Sequence, residues 1–320
     1  MRVFVTGASG FIGSAVVQDL LGAGHQVTGL ARSESSAQAL ITAGAQVQRG
    51  SLDDLGSLRR GAAGADGVIH LAYLHDLGYL SLRTRLRVFL GGNPAQIGLR
   101  FVGAGALADR QAIEALGSTL AGSDRPLVAA FGTLGLTPGR LATEEDAYDQ
   151  QSLGGGRSAS EQTMQALASR GVRTSVIRLP PVVHGVGDHG FALRLLNAAR
   201  KNRGSAYVWD GQNRWPSVHR LDAARLFRLA LEQGAAGGIY HGVAEEGVAF
   251  REVAEVIGRQ AGVPVVSTPP RQASAYLGFL AALAGIDNPT SSALTQERLG
   301  WHPTGPGLIA DLDQPGYFRA

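Results

Sequence analysis

Residues 1–13 read MRVFVTGASGFIG, and they predict one short strand, one tight turn and the start of one helix. A β-branched and aromatic run precedes Thr6, and an apolar pattern at helical spacing follows Gly10. Gly7 permits the tight turn, Gly10 lets the backbone approach a pyrophosphate, and Gly13 lets the helix pack closely on the strand. The N–H groups at the helix N-terminus would face the phosphates. The stretch therefore predicts a dinucleotide-binding turn.

The composition is that of a globular chain, since 44% of the 320 residues are hydrophobic and 17% are charged. The chain has no cysteine, which excludes disulfides, zinc thiolate sites and thiol nucleophiles, and no metal site is predicted. A net charge of +3 without a basic block argues against a nucleic-acid partner. Met1 leads straight into a strand, and the apolar run 275–285 is too short to span a bilayer. We therefore expect a cytoplasmic protein that does not enter a membrane.

Strand and helix patterns alternate after the first helix. The strands are predicted at 26–32, 45–48, 67–72, 126–131 and 172–179, and the helices between them at 37–43, 55–62 and 108–120. Two further helices, at 191–202 and 250–261, are predicted from apolar residues at helical spacing. The run 67–72 is almost continuously apolar, as expected of a strand that helices bury on both faces. Right-handed crossovers between such strands predict the α/β class, with a doubly wound parallel sheet of the Rossmann type.

The end of the second strand indicates which dinucleotide binds. In such folds this position meets the adenosine ribose, where an acidic side chain accepts hydrogen bonds from the ribose hydroxyls. Positions 28–33 contain no Asp or Glu, and Arg32 could instead pair with a 2′-phosphate. The sequence therefore favours NADP (NADPH) over NAD, with Ser33 as a second phosphate contact. The alternative is that Arg32 is a solvated charge at the end of an edge strand.

Five stretches together resemble a known family over essentially the whole chain. They are TGASGFIG (6–13), HLA (70–72), RLPPVVHG (178–185), WPSVHRLD (215–222) and LGWHP (299–303). The chain resembles the extended or atypical short-chain dehydrogenases/reductases, in their NAD(P)-dependent epimerase/dehydratase group. The resemblance implies that adenine packs near Ser51 and Leu52, although Asp is commoner in the family at position 51. It also implies that Leu71 and Ala72 line the ribose side.

The resemblance extends to the nicotinamide end of the cofactor, where the backbone from Pro180 to Val182 would meet the carboxamide. The cofactor-binding residues expected from the turn and from the resemblance are Gly7, Ser9, Gly10, Phe11, Ile12, Gly13, Arg32, Ser33, Ser51, Leu52, Leu71, Ala72, Arg157, Pro180 and Val182.

The resemblance also implies the domain organisation. A nucleotide-binding domain would cover 1–180 and continue in 214–245, and a smaller C-terminal substrate-binding lobe would comprise 181–213 and 246–320. A small-molecule substrate would bind in the cleft between them. A homodimer through a four-helix interface is also consistent with this family. The stretch 73–108 fits the family less well, and it is interpreted as a lid, an interface arm or a long surface loop.

The usual catalytic pair of the family is missing. Reductases of this type protonate the developing alkoxide with a Tyr that lies four residues before a Lys. In this chain Leu153 falls at the Tyr position and Arg157 at the Lys position, while the only lysine, Lys201, lies on another predicted helix. Arg157 could still donate a hydrogen bond to the nicotinamide ribose. The Ser position of the family falls near 131, which leaves Thr133 as the nearest hydroxyl.

Several side chains could replace the missing proton donor. They are Tyr73, His75, Tyr148, His184, His189 and His219. His184 follows the Pro-Pro turn beside the expected nicotinamide, where a histidine can titrate near neutral pH. The predicted catalytic residues are therefore His184, His189, Thr133 and Tyr148. His70 lies inside a buried strand and is interpreted as a core histidine.

Three functions fit these observations. The first is an NADPH-dependent reductase that transfers hydride to a small or medium carbonyl, enone or imine, with a non-standard proton donor. The second is a non-redox isomerase, cyclase or dehydratase on the same fold. The third is a dinucleotide-sensing binding protein without turnover.

Overall fold

The computed structural model of the protein describes residues 1–74, 82–93 and 97–319. Its strands are β1 (Arg2–Thr6), β2 (Gln26–Ala31), β3 (Gln46–Arg49), β4 (Gly67–His70), β5 (Pro126–Gly132), β6 (Arg173–Leu179), β7 (Val182–His184), β8 (Ser205–Val208), β9 (Arg214–His219), β10 (Gly238–His241), β11 (Glu245–Ala249) and β12 (Val265–Thr268). Its α-helices are α1 (Phe11–Gly22), α2 (Glu34–Thr42), α3 (Leu55–Ala63), α4 (Leu82–Leu90), α5 (Ile97–Leu120), α6 (Ser158–Ala168), α7 (Phe191–Asn202), α8 (Arg220–Gln233), α9 (Phe250–Ala261), α10 (Pro270–Leu277), α11 (Ala281–Ala284), α12 (Ala293–Leu299) and α13 (Leu308–Leu312).

A seven-stranded sheet has the order β10-β6-β5-β4-β1-β2-β3. Strand β1 pairs in parallel with β2 on one side and with β4 on the other. The strands that follow β1 in the chain therefore extend the sheet first towards β3 and then, from β4 onward, in the opposite direction. Ligands of such sheets bind outside the carboxyl ends of the strands at this switch point. The predicted α/β fold with a doubly wound Rossmann sheet is confirmed.

The chain divides into two compact units. The first comprises Met1–Phe131, Leu153–Ile177 and Phe227–Ile239, and the second comprises Gly132–Ser152, Arg178–Leu226 and Tyr240–Ala320. The second unit contains both segments of the expected substrate-binding lobe, 181–213 and 246–320. It also contains 132–152, which the sequence assigns to the nucleotide-binding domain. The functional division into a cofactor domain and a substrate lobe stays a prediction.

The core of the first unit explains why its sheet forms. After Arg2, every residue of β1 is buried, and so is every residue of β4, as expected of central strands covered on both faces. The ring of Phe4 occupies the space that a side chain at Gly61 of α3 would need. Removing so large a buried ring would cost about 3–5 kcal/mol.

The second unit has its own sheets and its own core. Its strands form a three-stranded sheet, β11-β9-β7, and a two-stranded sheet, β12-β8. The indole of the fully buried Trp215 lies 4.7 Å from the ring centroid of Phe250 and 5.9 Å from that of Phe191. The sequence predicts α7 and α9 with their observed bounds. It does not predict β7, β9, β11 or β12, because these strands are short and have no clear alternation.

Residues 82–90 and 97–120 are helical, so interpreting 73–108 as one long surface loop is wrong for most of that stretch. Helix α5 begins at Ile97 although the sequence predicts a start at 108, because tertiary contacts outweigh the low helix propensity of Gly98, Gly103 and Gly105. Arg100 joins α5 to α4 by donating from Nε to the carbonyl oxygen of Val88 at 2.8 Å. Although α5 has 24 residues, no helix among the described residues is long and apolar enough to cross a membrane.

Candidate functional site

The glycine-rich turn has the geometry that its sequence predicts. Gly7 has φ +70°, and a Cβ atom there would lie 2.8 Å from the backbone nitrogen of Ala72. A Cβ atom on Gly13 would lie 2.8 Å from the carbonyl carbon of Gly7 and closer still to its oxygen. A Cβ atom on Gly10 would meet only the carbonyl oxygen of Gly7, at 3.2 Å. Gly7 therefore lets the turn lie close to the backbone after β4, Gly13 lets α1 pack on the turn, and the exposed Gly10 leaves room for a ligand.

The residues around this turn fit a dinucleotide pyrophosphate. Helix α1 begins after Gly10 without a side-chain cap, so the N–H groups of its first turn are not covered by a capping side chain. Ser9 is exposed, and Phe11 and Ile12 are half-buried in the first turn. On the other side of the turn, Leu71 donates its backbone N–H to the carbonyl oxygen of Thr6 at 3.1 Å. The structure thus brings the predicted residues of the glycine turn together with Leu71 and Ala72.

Arg32 lies exposed directly after β2, and Ser33 is the N-cap of α2. The Ser33 hydroxyl accepts a hydrogen bond from the backbone N–H of Ser36 at 3.1 Å. Arg49 ends the neighbouring strand β3, donates from Nη1 to the Ser33 carbonyl oxygen at 2.9 Å, and pairs with Glu34. Two arginines and a serine cap therefore lie around the carboxyl ends of β2 and β3. Further along the chain, Ser51 is half-buried and Leu52 is buried.

Arg157 lies at the N-cap of α6, and a buried carboxylate holds its side chain in place. Its Nη2 donates to Oδ1 of Asp109 at 2.9 Å and to the Ala130 carbonyl oxygen at 2.8 Å. The guanidinium carbon lies 4.6 Å from the ring centroid of Tyr73 and 4.4 Å from that of Phe131. Leu153, which the sequence predicts to stand at the family's tyrosine position, is 54% exposed.

Asp109 is fully buried in α5. Burial alone would raise the pKa of its carboxyl group, but Arg157 and His70 outweigh that effect and hold the pKa below its usual range. Asp109 is therefore ionised at neutral pH. Burial also raises the pKa of the Tyr73 phenol, and there the neighbouring Arg157 does not outweigh it.

His70 is buried, as the sequence predicts, and it connects Asp109 to the glycine turn. The Ala72 N–H donates to Oγ1 of Thr6 at 3.3 Å, and that hydroxyl lies 2.7 Å from Nδ1 of His70. Nε2 of His70 lies 3.6 Å from Oδ1 of Asp109. A polar chain therefore runs through the buried ends of β1 and β4 to α5.

Thr133 and Tyr148, two of the predicted catalytic residues, lie in the second unit and bond within it. The Thr133 hydroxyl is fully buried and donates to Oδ1 of Asn288 at 2.8 Å. The phenol of Tyr148 donates to the Gly132 carbonyl oxygen at 2.7 Å and accepts from the Gly132 N–H at 3.1 Å. Both hydroxyls thus have structural partners, and Tyr148 is half-buried.

His184 ends β7 and forms a buried pair with Asp311 of α13. Its Nδ1 lies 2.6 Å from Oδ2 of Asp311, and its side chain is 1% exposed. The ring of His219 approaches it edge-on, with centroids 5.5 Å apart. Burial and the neighbouring His184 lower the pKa of the half-buried His219. His219 is consequently neutral at pH 7.

Three further predicted residues, His189, Pro180 and Val182, belong to the second unit. His189 is exposed on the loop after β7, where its Nδ1 lies 3.2 Å from the Gly187 carbonyl oxygen. Pro180 and Val182 are buried on either side of the turn between β6 and β7. His75 lies outside the described residues.

Sequence reasoning missed Asp109, Asp311 and Asn288. A signal for Asp109 is available in α5, because it precedes the buried residues Ala112, Ile113 and Leu116 at helical spacing. An acidic residue on an apolar stripe indicates a buried charge with a partner. Asp311 likewise lies between the buried Leu308 and Leu312.

Comparison with known proteins agrees with the fold. The NAD dependent epimerase/dehydratase family matches residues 3–81. An uncharacterised protein of Schizosaccharomyces pombe is 45% identical over 99% of this chain and 100% of its own length. One of Saccharomyces cerevisiae is 41% identical over 98% of each chain.

Two better-described proteins are more distant. A 4-hydroxy-2-methyl-3-oxo-4-farnesyl-3,4-dihydroquinoline-1-oxide ketoreductase of Stigmatella aurantiaca is 29% identical over 75% of this chain and 67% of its own length. A dTDP-glucose 4,6-dehydratase of Streptomyces venezuelae, solved with NAD bound, shares the fold with a TM-score of 0.73, 19% identity, and coverage of 100% of this chain and 97% of the other. With the glycine turn and the sheet order, these similarities show that the chain belongs to the NAD dependent epimerase/dehydratase family and is an NAD(P)-dependent enzyme of the short-chain dehydrogenase/reductase type.

Proposed function

We propose that the protein is an NADPH-dependent reductase that acts on a small or medium carbonyl, enone or imine. The observation that carries this proposal is the exposed Arg32 directly after β2, in a segment, 28–33, that has no acidic residue. A guanidinium there suits a 2′-phosphate, and a ribose-binding carboxylate is missing. The name of the Stigmatella aurantiaca relative, a ketoreductase, supports the reaction class.

Each part of the first unit would serve one portion of the cofactor. Gly10 leaves room for the pyrophosphate at the start of α1, and Arg32 and Ser33 would hold the 2′-phosphate. Arg157 would donate a hydrogen bond to a ribose hydroxyl. When bound, NADPH supplies the hydride.

As the proton donor, we favour His184 of the second unit, which pairs with Asp311. Asp311 accepts a hydrogen bond from Nδ1 of His184 and would orient the imidazole, as a buried carboxylate does for a catalytic histidine. The half-buried His219 would carry a proton between His184 and solvent. The exposed His189 is a second candidate, whereas the hydroxyls of Thr133 and Tyr148 already bond within the protein.

A non-redox reaction is the second candidate function. It is favoured by Leu153, because an exposed aliphatic side chain at the usual tyrosine position cannot donate a proton. An isomerase, cyclase or dehydratase would not need that donor in the same place.

The proposal also includes a cytoplasmic location and a homodimer, whichever of the two reactions the protein catalyses.

Two measurements test the proposed function. Titration of the protein with NADPH and with NADH should give a clearly lower dissociation constant for NADPH. NADPH absorbance should then fall with at least one member of a panel of aldehydes, ketones, enones and imines. Bound NADPH that no member of the panel oxidises would favour the non-redox reaction, and equal binding of both dinucleotides would refute the cofactor preference.

A further inference from the structure

The environment of Arg157 differs from that of an anion-binding arginine. An arginine that binds phosphate or carboxylate presents its fork and its charge to the ligand. Here Nε and Nη2 already donate to Asp109, at 3.4 Å and 2.9 Å. The charge that this guanidinium would offer is therefore balanced by a carboxylate that cannot move away, because Asp109 is fully buried.

The orientation of the guanidinium is fixed as well as its charge. The ring centroids of Tyr73 and Phe131 each lie within 5 Å of the guanidinium carbon. The third hydrogen bond of the guanidinium group runs from Nη2 to the Ala130 carbonyl oxygen. No acceptor for Nη1 occurs in the part of the chain that the structure describes, and 19% of the side chain remains exposed. Nη1 of Arg157 is thus a donor held in a fixed orientation, and the ion pair to which it belongs, Arg157 with Asp109, is nearly neutral.

We propose that Asp109 is a positioning residue that orients Arg157 and cancels its charge, so that Nη1 donates a hydrogen bond to a neutral hydroxyl or carbonyl oxygen of the ligand instead of binding an anion. The ligand oxygen lies near the carboxyl end of β5, since Ala130 belongs to that strand. The inference rests on the proposed function for the presence of a dinucleotide and deepens it by assigning the chemistry that Arg157 recognises. Nε2 of His70 is a second polar neighbour of this carboxylate, 3.6 Å from Oδ1 of Asp109.

The test uses sulfate as an anion probe on the full chain without cofactor. Asp109→Asn keeps the shape of the side chain but leaves the charge of Arg157 uncompensated. Glu114→Gln is the matched control, because it removes the carboxylate partner of Arg170 on the exposed face of the same helix, at 2.7 Å. Melting temperatures are measured against sulfate concentration, with ionic strength held constant by sodium chloride.

We expect Asp109→Asn to gain at least about tenfold in apparent sulfate affinity over the native chain, because a charge-assisted hydrogen bond becomes available to the anion. The gain should disappear in the double variant with Arg157→Gln, and Glu114→Gln should not show it. If Asp109→Asn responds to sulfate as Glu114→Gln does, the proposal is overturned.

Arg157→Gln alone keeps the proposal testable if Asp109→Asn does not fold. It should leave the sulfate response of the native chain unchanged and weaken NADPH binding about tenfold. A fall in sulfate affinity on Arg157→Gln would show that Arg157 binds anions in the native protein, and would refute the inference. Failure of the native chain to bind NADPH would refute the proposed function instead, and the sulfate measurements would still decide the role of Asp109.

Discussion

Gly13 of α1 packs directly against the carbonyl group of Gly7, because a Cβ atom on Gly13 would lie 2.8 Å from that carbonyl carbon. Gly10, between them, has an ordinary extended conformation, with φ −77° and ψ 177°. The three glycines of one turn therefore have different requirements. Two are needed by the fold itself, and the third is open to solvent and to a ligand.

Gly10→Val should abolish dinucleotide binding and leave the protein folded, because valine tolerates the backbone conformation at position 10 but fills the approach to the turn. Gly13→Ala should instead destabilise the fold by about 1–3 kcal/mol through overpacking. Gly22→Ala, at the open end of the same helix, is the control: it should leave NADPH binding unchanged and should not lower the stability. The measurements are NADPH titration and urea denaturation. A folded Gly10→Val variant with native affinity would place the cofactor elsewhere.

Arg32→Ala should weaken NADPH binding by about 1.5–3 kcal/mol, the contribution of a hydrogen bond to a charged group, and should leave NADH binding nearly unchanged. Dissociation constants for both dinucleotides provide the comparison. Arg59→Ala, which removes an exposed arginine from α3, controls for the loss of one positive charge. If both arginine variants lose the same affinity, a general electrostatic effect explains the result and Arg32 has no specific role.

His184→Ala or His189→Ala should reduce the single-turnover rate of NADPH oxidation more than Arg157→Ala does. General acid catalysis contributes about 10²–10⁴ in rate, so loss of the true donor should be visible. Arg157→Ala should act mainly on cofactor affinity. If both histidine variants keep native rates while Tyr148→Phe or Tyr73→Phe loses them, the donor is a tyrosine. If none of these changes matters, water is the donor or the reaction is not a carbonyl reduction.

Restoring the usual pair with Leu153→Tyr and Arg157→Lys should not raise activity. Leu153 is exposed, so a tyrosine there would have no packing to orient its hydroxyl. A lysine at position 157 would lose the fork that contacts both Asp109 and Ala130. Steady-state rates and NADPH affinity of the double variant, set beside each single change, check this expectation. A rate above that of the native enzyme would contradict it.

Stability should fall in acid because of His241. Burial lowers the pKa of this histidine to about 3, and its Nδ1 lies 2.8 Å from the Ser291 carbonyl oxygen while Nε2 faces Arg178. The unfolded chain takes up a proton below about pH 6.5, whereas the folded chain takes it up only near pH 3, so stability present at neutral pH is lost between these values.

This one group should lower the free energy of unfolding by about 2 kcal/mol between pH 7.5 and pH 5. Urea denaturation at several pH values gives the slope, which should be reduced by His241→Gln and unchanged by His302→Gln, a change at an exposed histidine. An unaltered slope in His241→Gln would assign the acid sensitivity to other groups.

The amino-acid sequence by itself determined the glycine turn and the doubly wound sheet. Both depend on local properties: the positive φ that Gly7 permits, the buried apolar run of β4, and the alternation of strand and helix patterns. Helices α7 and α9 were predictable for the same reason, because their apolar residues recur at helical spacing. The absence of the family's Tyr/Lys pair, by contrast, stays a prediction that rests on the order of residues alone.

Only the tertiary structure decided which side chains meet. Arg157 contacts Asp109, which is 48 residues away in the sequence. His184 contacts Asp311 at a separation of 127 residues, and Thr133 contacts Asn288 at a separation of 155. Such pairs form when packing brings distant segments together, and no local pattern specifies the partner. The same reason explains why the short strands β7, β9 and β11 and the early start of α5 were missed, since long-range contacts stabilise them against weak local preferences.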